Sequence, residues 1–250
     1  MIIYIIIFAI LYTFIYSTID GLYFEPSPNR NIEEFNNKNP KYNCIKKQNH
    51  YALFRKGKKS HKVMLIAHGN AGSFLDRSYV IDKLEKYTGD VYMFEYPGFS
   101  GIPGRSNITN CVNELLFWIN SLKPKYEKID LFGESIGGGI VIETCVRHSL
   151  NCINKIYLQS SFTSMKNVIK DLSLGLYILY KFLLLDDLNN NKNLKNILCN
   201  KFVIIHSPDD MLIKYEQALQ NYETLKKLNK KVKFIEGSGF HGNTLFELKK

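Results

Sequence analysis

The sequence lacks most of the features that tie a chain of this size to metals, nucleotides or a disulfide framework. Its cysteines are few and odd in number: Cys44, Cys111, Cys145, Cys152 and Cys199. They form no C-x-x-C pair and show no metal-ligand spacing, so the expectation is reduced, mostly buried thiols. The glycine turn Gly69–Gly72 matches neither G-x-x-x-x-G-K-[ST] nor G-x-G-x-x-G, which argues against a phosphate cradle there. No cofactor and no metal are expected. No internal repeat is visible, which excludes a solenoid. Acidic residues are also short, 23 Asp+Glu against 33 Lys+Arg, for a formal charge of +10. The lysines are scattered rather than striped along one face, so a nucleic-acid partner is not expected. What is present in quantity is aromatic: 16 Phe and 16 Tyr in 250 residues. That bulk excludes disorder as a description of the chain and suits one sizeable core rather than two catalytic domains.

Charge is missing altogether from residues 1–19, MIIYIIIFAILYTFIYSTI, and Asp20 ends the run. As a helix this stretch would span roughly 28 Å, close to the hydrocarbon thickness of a bilayer. Its polar side chains gather toward the far end, where an interface would accept them. The expectation is a transmembrane or signal-anchor helix, giving a single-pass membrane protein. A cleavable signal peptide is the rival; it would want a basic n-region that is absent, although Ser17 and Thr18 would suit a cleavage site. A buried first helix is the third reading. Near the run, Asp20, Glu25, Glu33 and Glu34 offset Arg30 and Lys38, which leaves unset the side of the membrane that the rest of the chain faces. Residues 20–45, with Pro26, Pro28 and Pro40 around an Asn/Glu cluster, read as a linker and edge segment.

From residue 46 to 250 short apolar runs alternate with amphipathic stretches. Val63–Ala67, Val91–Tyr96, Ile129–Phe132, Lys155–Gln159, Phe202–His206 and Val232–Ile235 read as strands. Leu75, Tyr79, Val80 and Leu84 mark one helix, beginning near Phe74. Ile108, Val112, Leu115, Ile119 and Leu122 mark a second; a third follows Ser135, and Tyr215, Leu219, Tyr222 and Leu225 mark a fourth. Strand–helix alternation with nearly continuous apolar strands predicts an α/β fold, a mostly parallel central sheet with helices on both faces. Residues 164–193 break the rhythm and read as a small helical cap insertion.

The sharpest chemical signal is Gly133-Glu134-Ser135-Ile136-Gly137, directly after one strand and before one helix. A nucleophile on a tight strand-to-helix turn needs small neighbours, and Gly133, Gly137, Gly138 and Gly139 supply them. The helix N-terminus behind Ser135 offers free N–H groups to a developing oxyanion. A serine hydroxyl needs a base and an orienting acid. Asp210, with Asp209 as its competitor, follows the strand Phe202–His206, and His241 follows Val232–Ile235. All three candidates fall at the carboxyl ends of strands, where open α/β sheets place their sites. His206 competes weakly as the base; His50, His61 and His148 read as surface residues. The turn Ala67-His68-Gly69-Asn70-Ala71-Gly72 offers a second backbone donor, Asn70 or Ala71, to pair with Ile136 in an oxyanion hole.

These motifs, with Tyr96–Gly101 (YPGFSG), resemble the α/β-hydrolase superfamily over roughly residues 45–249. Within it the chain is similar to membrane-anchored serine hydrolases related to the protein-depalmitoylating abhydrolase-domain enzymes, which share the HGNA and GxSxGG turns. The resemblance implies a Ser135–Asp210–His241 triad, because the family's Gly-x-x-Asp step falls on Ser207–Asp210, with Ser207 in place of the glycine. It also implies a final helix after His241, here short. The expected activity is hydrolysis of esters or thioesters of lipid-like or acylated substrates near a membrane. A peptidase on the same fold, or an inactive membrane-tethered binding protein, are the opposing readings. Asn107-Ile-Thr109 matches a glycosylation acceptor pattern but reads first as a helix start.

Overall fold

The computed structural model describes residues 23–27, 31–182 and 188–248. The apolar run 1–19 lies outside the described residues. Among the described residues no helix is long and apolar enough to cross a membrane.

Eight strands form one sheet: β1 (Asn43–Lys47), β2 (His50–Arg55), β3 (Lys59–Ala67), β4 (Gly89–Phe94), β5 (Lys128–Glu134), β6 (Ile153–Gln159), β7 (Lys201–His206) and β8 (Lys231–Glu236). Their spatial order is β1-β2-β4-β3-β5-β6-β7-β8. Only β2 runs against the rest, pairing antiparallel with both β1 and β4. From β4 to β8 every neighbour is parallel. All six expected strands are present, each a residue or more longer at one end or both except Val91–Tyr96, which ends at Phe94 and begins at Gly89.

The strands are buried on both faces, and their alternation assigns each side chain to a layer. Val63, Leu65 and Ala67 face one core with Phe202 and Ile204. Met64 and Ile66 face the other with Val203 and Ile205. The first core is covered by α3 (Ile108–Leu122), α4 (Ile136–Arg147) and α8 (Tyr215–Lys227). On α3 the stripe Ile108, Val112, Leu115, Ile119, Leu122 is buried, and Trp118 joins it with its indole N–H on Glu114 Oε1 at 3.0 Å. Asn107 caps this helix, its side chain accepting from the Asn110 N–H at 2.7 Å. The second core is covered by α2 (Ser78–Lys83) and by the C-terminal residues Phe246 and Leu248.

Four expectations need correction. Asn31 caps a helix, α1 (Ile32–Lys38), inside the stretch read as linker, accepting from the Glu34 N–H at 3.0 Å. The helix expected near Phe74 begins only at Ser78, because Asp76 accepts from the Ser73 N–H and hydroxyl at 3.0 and 2.9 Å and holds a turn there. No helix follows His241 among the described residues; Leu245 instead bridges back to Ser238 through two backbone bonds of 3.0 and 2.7 Å. His50 is a packed residue rather than a surface one, stacked on Phe117 and bonded to Glu114 at 2.6 Å. None of the five cysteines forms a disulfide among the described residues, and Cys111, Cys145 and Cys199 are buried. Among the described residues three α-helices run between β6 and β7, α5 (Met165–Leu172), α6 (Leu174–Phe182) and α7 (Asn190–Asn193).

Candidate active site

Ser135 stands between the end of β5 and the start of α4 with φ +54° and ψ −119°. A non-glycine residue in that region is strained, and here the surroundings hold it. Its N–H donates to Gln159 O at 2.9 Å, and its carbonyl accepts from the Gly138 N–H at 3.0 Å and the Ser161 hydroxyl at 3.1 Å. The turn works only with glycine beside it. A Cβ on Gly133 would meet the Gly138 Cα, and one on Gly137 would collide with the carbonyls of Ala67 and His68. That second contact brings the His68–Gly72 turn against the helix start that carries Ile136.

His241 closes on Ser135 from the loop after β8. The Ser135 hydroxyl donates to His241 Nε2 at 3.0 Å, and the Nδ1 N–H donates to Asp210 Oδ2 at 2.8 Å. Tyr79 steadies the loop by donating its hydroxyl to Gly242 O at 2.6 Å. Asp210 is buried on the turn after β7, its other oxygen accepting from the Leu212 and Ile213 N–H groups at 3.0 and 2.9 Å. Burial pushes its carboxyl up, but the bonds from His241 and Ile213 outweigh that and hold it below the ordinary aspartate value. A carboxyl with a depressed folded value stabilises above its unfolded value of 3.8 and loses that contribution as pH falls through the folded one. Between about pH 5 and pH 3 the wild type should therefore lose more stability than Asp210→Asn does, in paired urea titrations. Equal losses would remove Asp210 from the acid transition.

The competitors take other places. Asp209 is exposed and accepts a long bond, 3.4 Å, from the Gly239 N–H, which ties the Asp and His loops together. His206 is fully buried, and burial lowers its pKa; its Nε2 donates to Ile213 O at 2.8 Å and so braces the turn that presents Asp210. Ser207, at the family's glycine step, uses its hydroxyl oxygen to accept from the Asp209 N–H at 3.1 Å. Of the proposed oxyanion donors, the N–H groups of Ile136 and Asn70 make no backbone hydrogen bond among the described residues. Ala71 pairs in a two-residue parallel ladder, Ala71–Gly72 with Glu25–Pro26.

Two buried acid side chains and their partners beneath the site escape motif reading. Glu134, fully buried beside Ser135, accepts from Arg77 Nη1 at 2.8 Å and from the Gly69 N–H at 3.2 Å. Arg77 also donates through Nε to Ala71 O at 2.8 Å, so one guanidinium joins the nucleophile strand to the neighbouring turn. His68 faces Glu95 Oε1 at 2.8 Å and Gly69 O at 2.9 Å, with Glu95 further accepting from the Phe74 N–H and the Ser100 hydroxyl. The available signal was an acid in each of two otherwise apolar strand ends, Glu95 and Glu134, which buried strands tolerate only when paired. Arg77→Ala leaves the Glu134 carboxylate buried without its cation and should cost about 3–5 kcal/mol in denaturant titration. A loss below about 1 kcal/mol, the range of exposed pairs, would show that Glu134 is not held by Arg77.

Among the described residues no group of three or more His, Cys, Asp or Glu side chains is placed to hold a metal ion. No family model matches the chain. An uncharacterized protein of Acanthamoeba polyphaga mimivirus is 28% identical over 202 residues, 74% of this chain and 68% of that one. The chain spans about two thirds of the length of the proteins it matches in sequence. Among solved structures, an esterase from Pyrococcus furiosus superposes with a TM-score of 0.62 at 18% identity, covering 87% of each chain. The Francisella virulence factor BioJ gives 0.56 at 19% identity, over 80% of this chain and 75% of that one. These likenesses, with the mostly parallel sheet and its flanking helices, establish that the chain has the α/β-hydrolase fold.

Proposed function

We propose that this chain is a serine hydrolase cleaving carboxylic ester or thioester bonds of lipid-like or acylated substrates beside a membrane. The observation that carries the reading is the unbroken line from the Ser135 hydroxyl through His241 to Asp210, with bonds of 3.0 and 2.8 Å. Ser135 Oγ attacks the substrate carbonyl carbon while its proton passes to His241 Nε2. The carbonyl oxygen takes up negative charge, held by the N–H of Ile136 and that of Asn70 or Ala71; one such donor is worth about 3 kcal/mol. His241 returns the proton to the leaving oxygen or sulfur, and an acyl-serine forms. Water then attacks the acyl carbon, gives a proton to His241 and releases the acid, and the proton returns to Ser135. Asp210 stays ionised throughout, fixes the imidazole tautomer and stabilises the imidazolium. These steps need neither metal nor organic cofactor.

The membrane setting rests on residues 1–19, which carry no charge. A single-pass anchor there keeps the site near acyl chains, and the resemblance to depalmitoylating enzymes favours thioester-linked acyl groups. Labelling of the detergent-solubilised full-length protein with a fluorophosphonate probe tests the mechanism. A panel of esters, thioesters and N-acyl peptides of rising acyl length tests the substrate class. Labelling with faster turnover of long-chain esters or thioesters than of peptides is expected. Peptide preference would make the chain a peptidase, and a folded protein that never labels would be a binding protein.

A further inference from the structure

We propose that the rim of the catalytic mouth, formed by α5–α6 and the loops beside Asp210 and His241, docks onto a lipid bilayer and draws its acyl substrate directly from it. The inference rests on the hydrolase reading for its substrate, and on the surface itself for the docking.

Ten large hydrophobic side chains are exposed among the described residues, and seven of them lie on this rim. Leu172, Leu174, Leu176 and Ile178 belong to α5–α6, Met211 and Leu212 follow Asp210, and Phe240 precedes His241. Met211 is 85% exposed, and Leu174 and Phe240 are each 67% exposed. The helix α6 carries a single charged residue, Lys181, in Leu174–Phe182. Exposed apolar side chains grouped on linked segments in this way point to an interaction site.

The three segments are joined rather than scattered. Asp171, at the end of α5, accepts from Lys214 Nζ and from Gln217 Nε2, each at 2.9 Å, which pins the helix pair to the loop carrying Met211 and Leu212. The Asp210–His241 bond joins that loop to the one carrying Phe240.

The position of the N-terminal run selects a bilayer as the occupant. The chain enters the domain against α6, where the Tyr23 hydroxyl donates to the Tyr180 hydroxyl at 3.0 Å. Ile19, the last residue of the uncharged run, is four residues earlier and therefore within roughly 14 Å of Tyr23 even in extended chain. A bilayer taken up by residues 1–19 would therefore have to stand within that reach of Tyr23 and α6. The helix pair also carries an interfacial pattern: Tyr177 is half-buried between Lys166 and Lys181, whose ammonium groups stand 5.9 and 5.8 Å from its ring. Tyrosines at headgroup depth beside lysines that attract anionic lipid are what such a boundary uses.

The test uses full-length protein and phosphatidylcholine–phosphatidylserine vesicles with or without brominated acyl chains. Trp118 is buried in the first core and supplies a constant background. In Leu176→Trp the new indole should shift to the blue on vesicle binding and lose at least about half its emission to brominated lipid, as an interfacially buried side chain does. Protein that floats with vesicles while that emission is unquenched overturns the docking. In the Leu174→Asp, Ile178→Asp double variant, hydrolysis of a vesicle-embedded long-chain ester should fall at least about tenfold while a soluble short ester is turned over within about twofold. Equal losses on both esters overturn the proposal in favour of a folding role. A concentration-dependent dimer abolished by the double variant, with no quenching, assigns the patch to a second copy instead. Should the wild type hydrolyse neither ester, the hydrolase reading fails, and the quenching result by itself still decides the docking.

Discussion

Ser135→Ala is expected to abolish fluorophosphonate labelling and to lower kcat toward esters by roughly 10⁴- to 10⁶-fold. The size follows from how the groups act together. Once the attacking oxygen is gone, His241 and Asp210 have no nucleophile to activate, and what survives is substrate binding and oxyanion stabilisation of attack by water. The variant should fold normally. Alanine at 135 keeps the backbone of φ +54° imposed by its surroundings, and the hydroxyl's one bond, to His241, is traded for water in a half-open site. Labelled peptide mapping together with single-turnover acyl release checks both statements. Residual labelling at another serine would move the nucleophile elsewhere and end the present assignment.

Asp210→Asn should lower kcat by about 10⁴-fold with a much smaller change in KM, whereas Asp209→Asn should change either by only a few fold. The two neighbours differ in what they touch. Asp210 is buried, accepts the His241 Nδ1 proton at 2.8 Å and is anchored by two N–H groups of its own turn. An amide there can present its NH₂ to Nδ1 and favour the wrong imidazole tautomer, leaving Nε2 unable to take the serine proton. Asp209 is exposed and holds only the long contact to the Gly239 N–H, 3.4 Å. Steady-state kinetics on one ester compares them directly, and a larger loss in Asp209→Asn would reverse the acid assignment.

Much of the candidate site was legible because its parts are local in sequence. A strand, a tight glycine turn and a helix start lie within a dozen residues around Ser135, and the same holds around His68–Gly72, so spacing alone describes them. Asp210 and His241 could be placed at strand ends because the apolar runs before them mark those ends within a residue or two. The helix α1 was missed because its capping asparagine sits in a polar stretch whose composition is that of a linker. The absent final helix was expected only from the family resemblance. Composition could not locate the partners of Glu134 and Glu95 either, since Arg77 is 57 residues from the first and His68 is 27 from the second.

The sequence by itself determined which side chains are candidates for the chemistry, because the proposed nucleophile, base and acid and the small residues around them are properties of single positions and short turns. It also determined the two-faced burial of the strands, through apolar residues with little alternation. Only the tertiary structure decided that β3 and β4 exchange places in the sheet, that Arg77 lands on Glu134, and that Tyr23 lands on Tyr180 157 residues away. Those outcomes depend on closing long loops onto specific partners, and that choice is made by the packing of the whole domain rather than by any local preference.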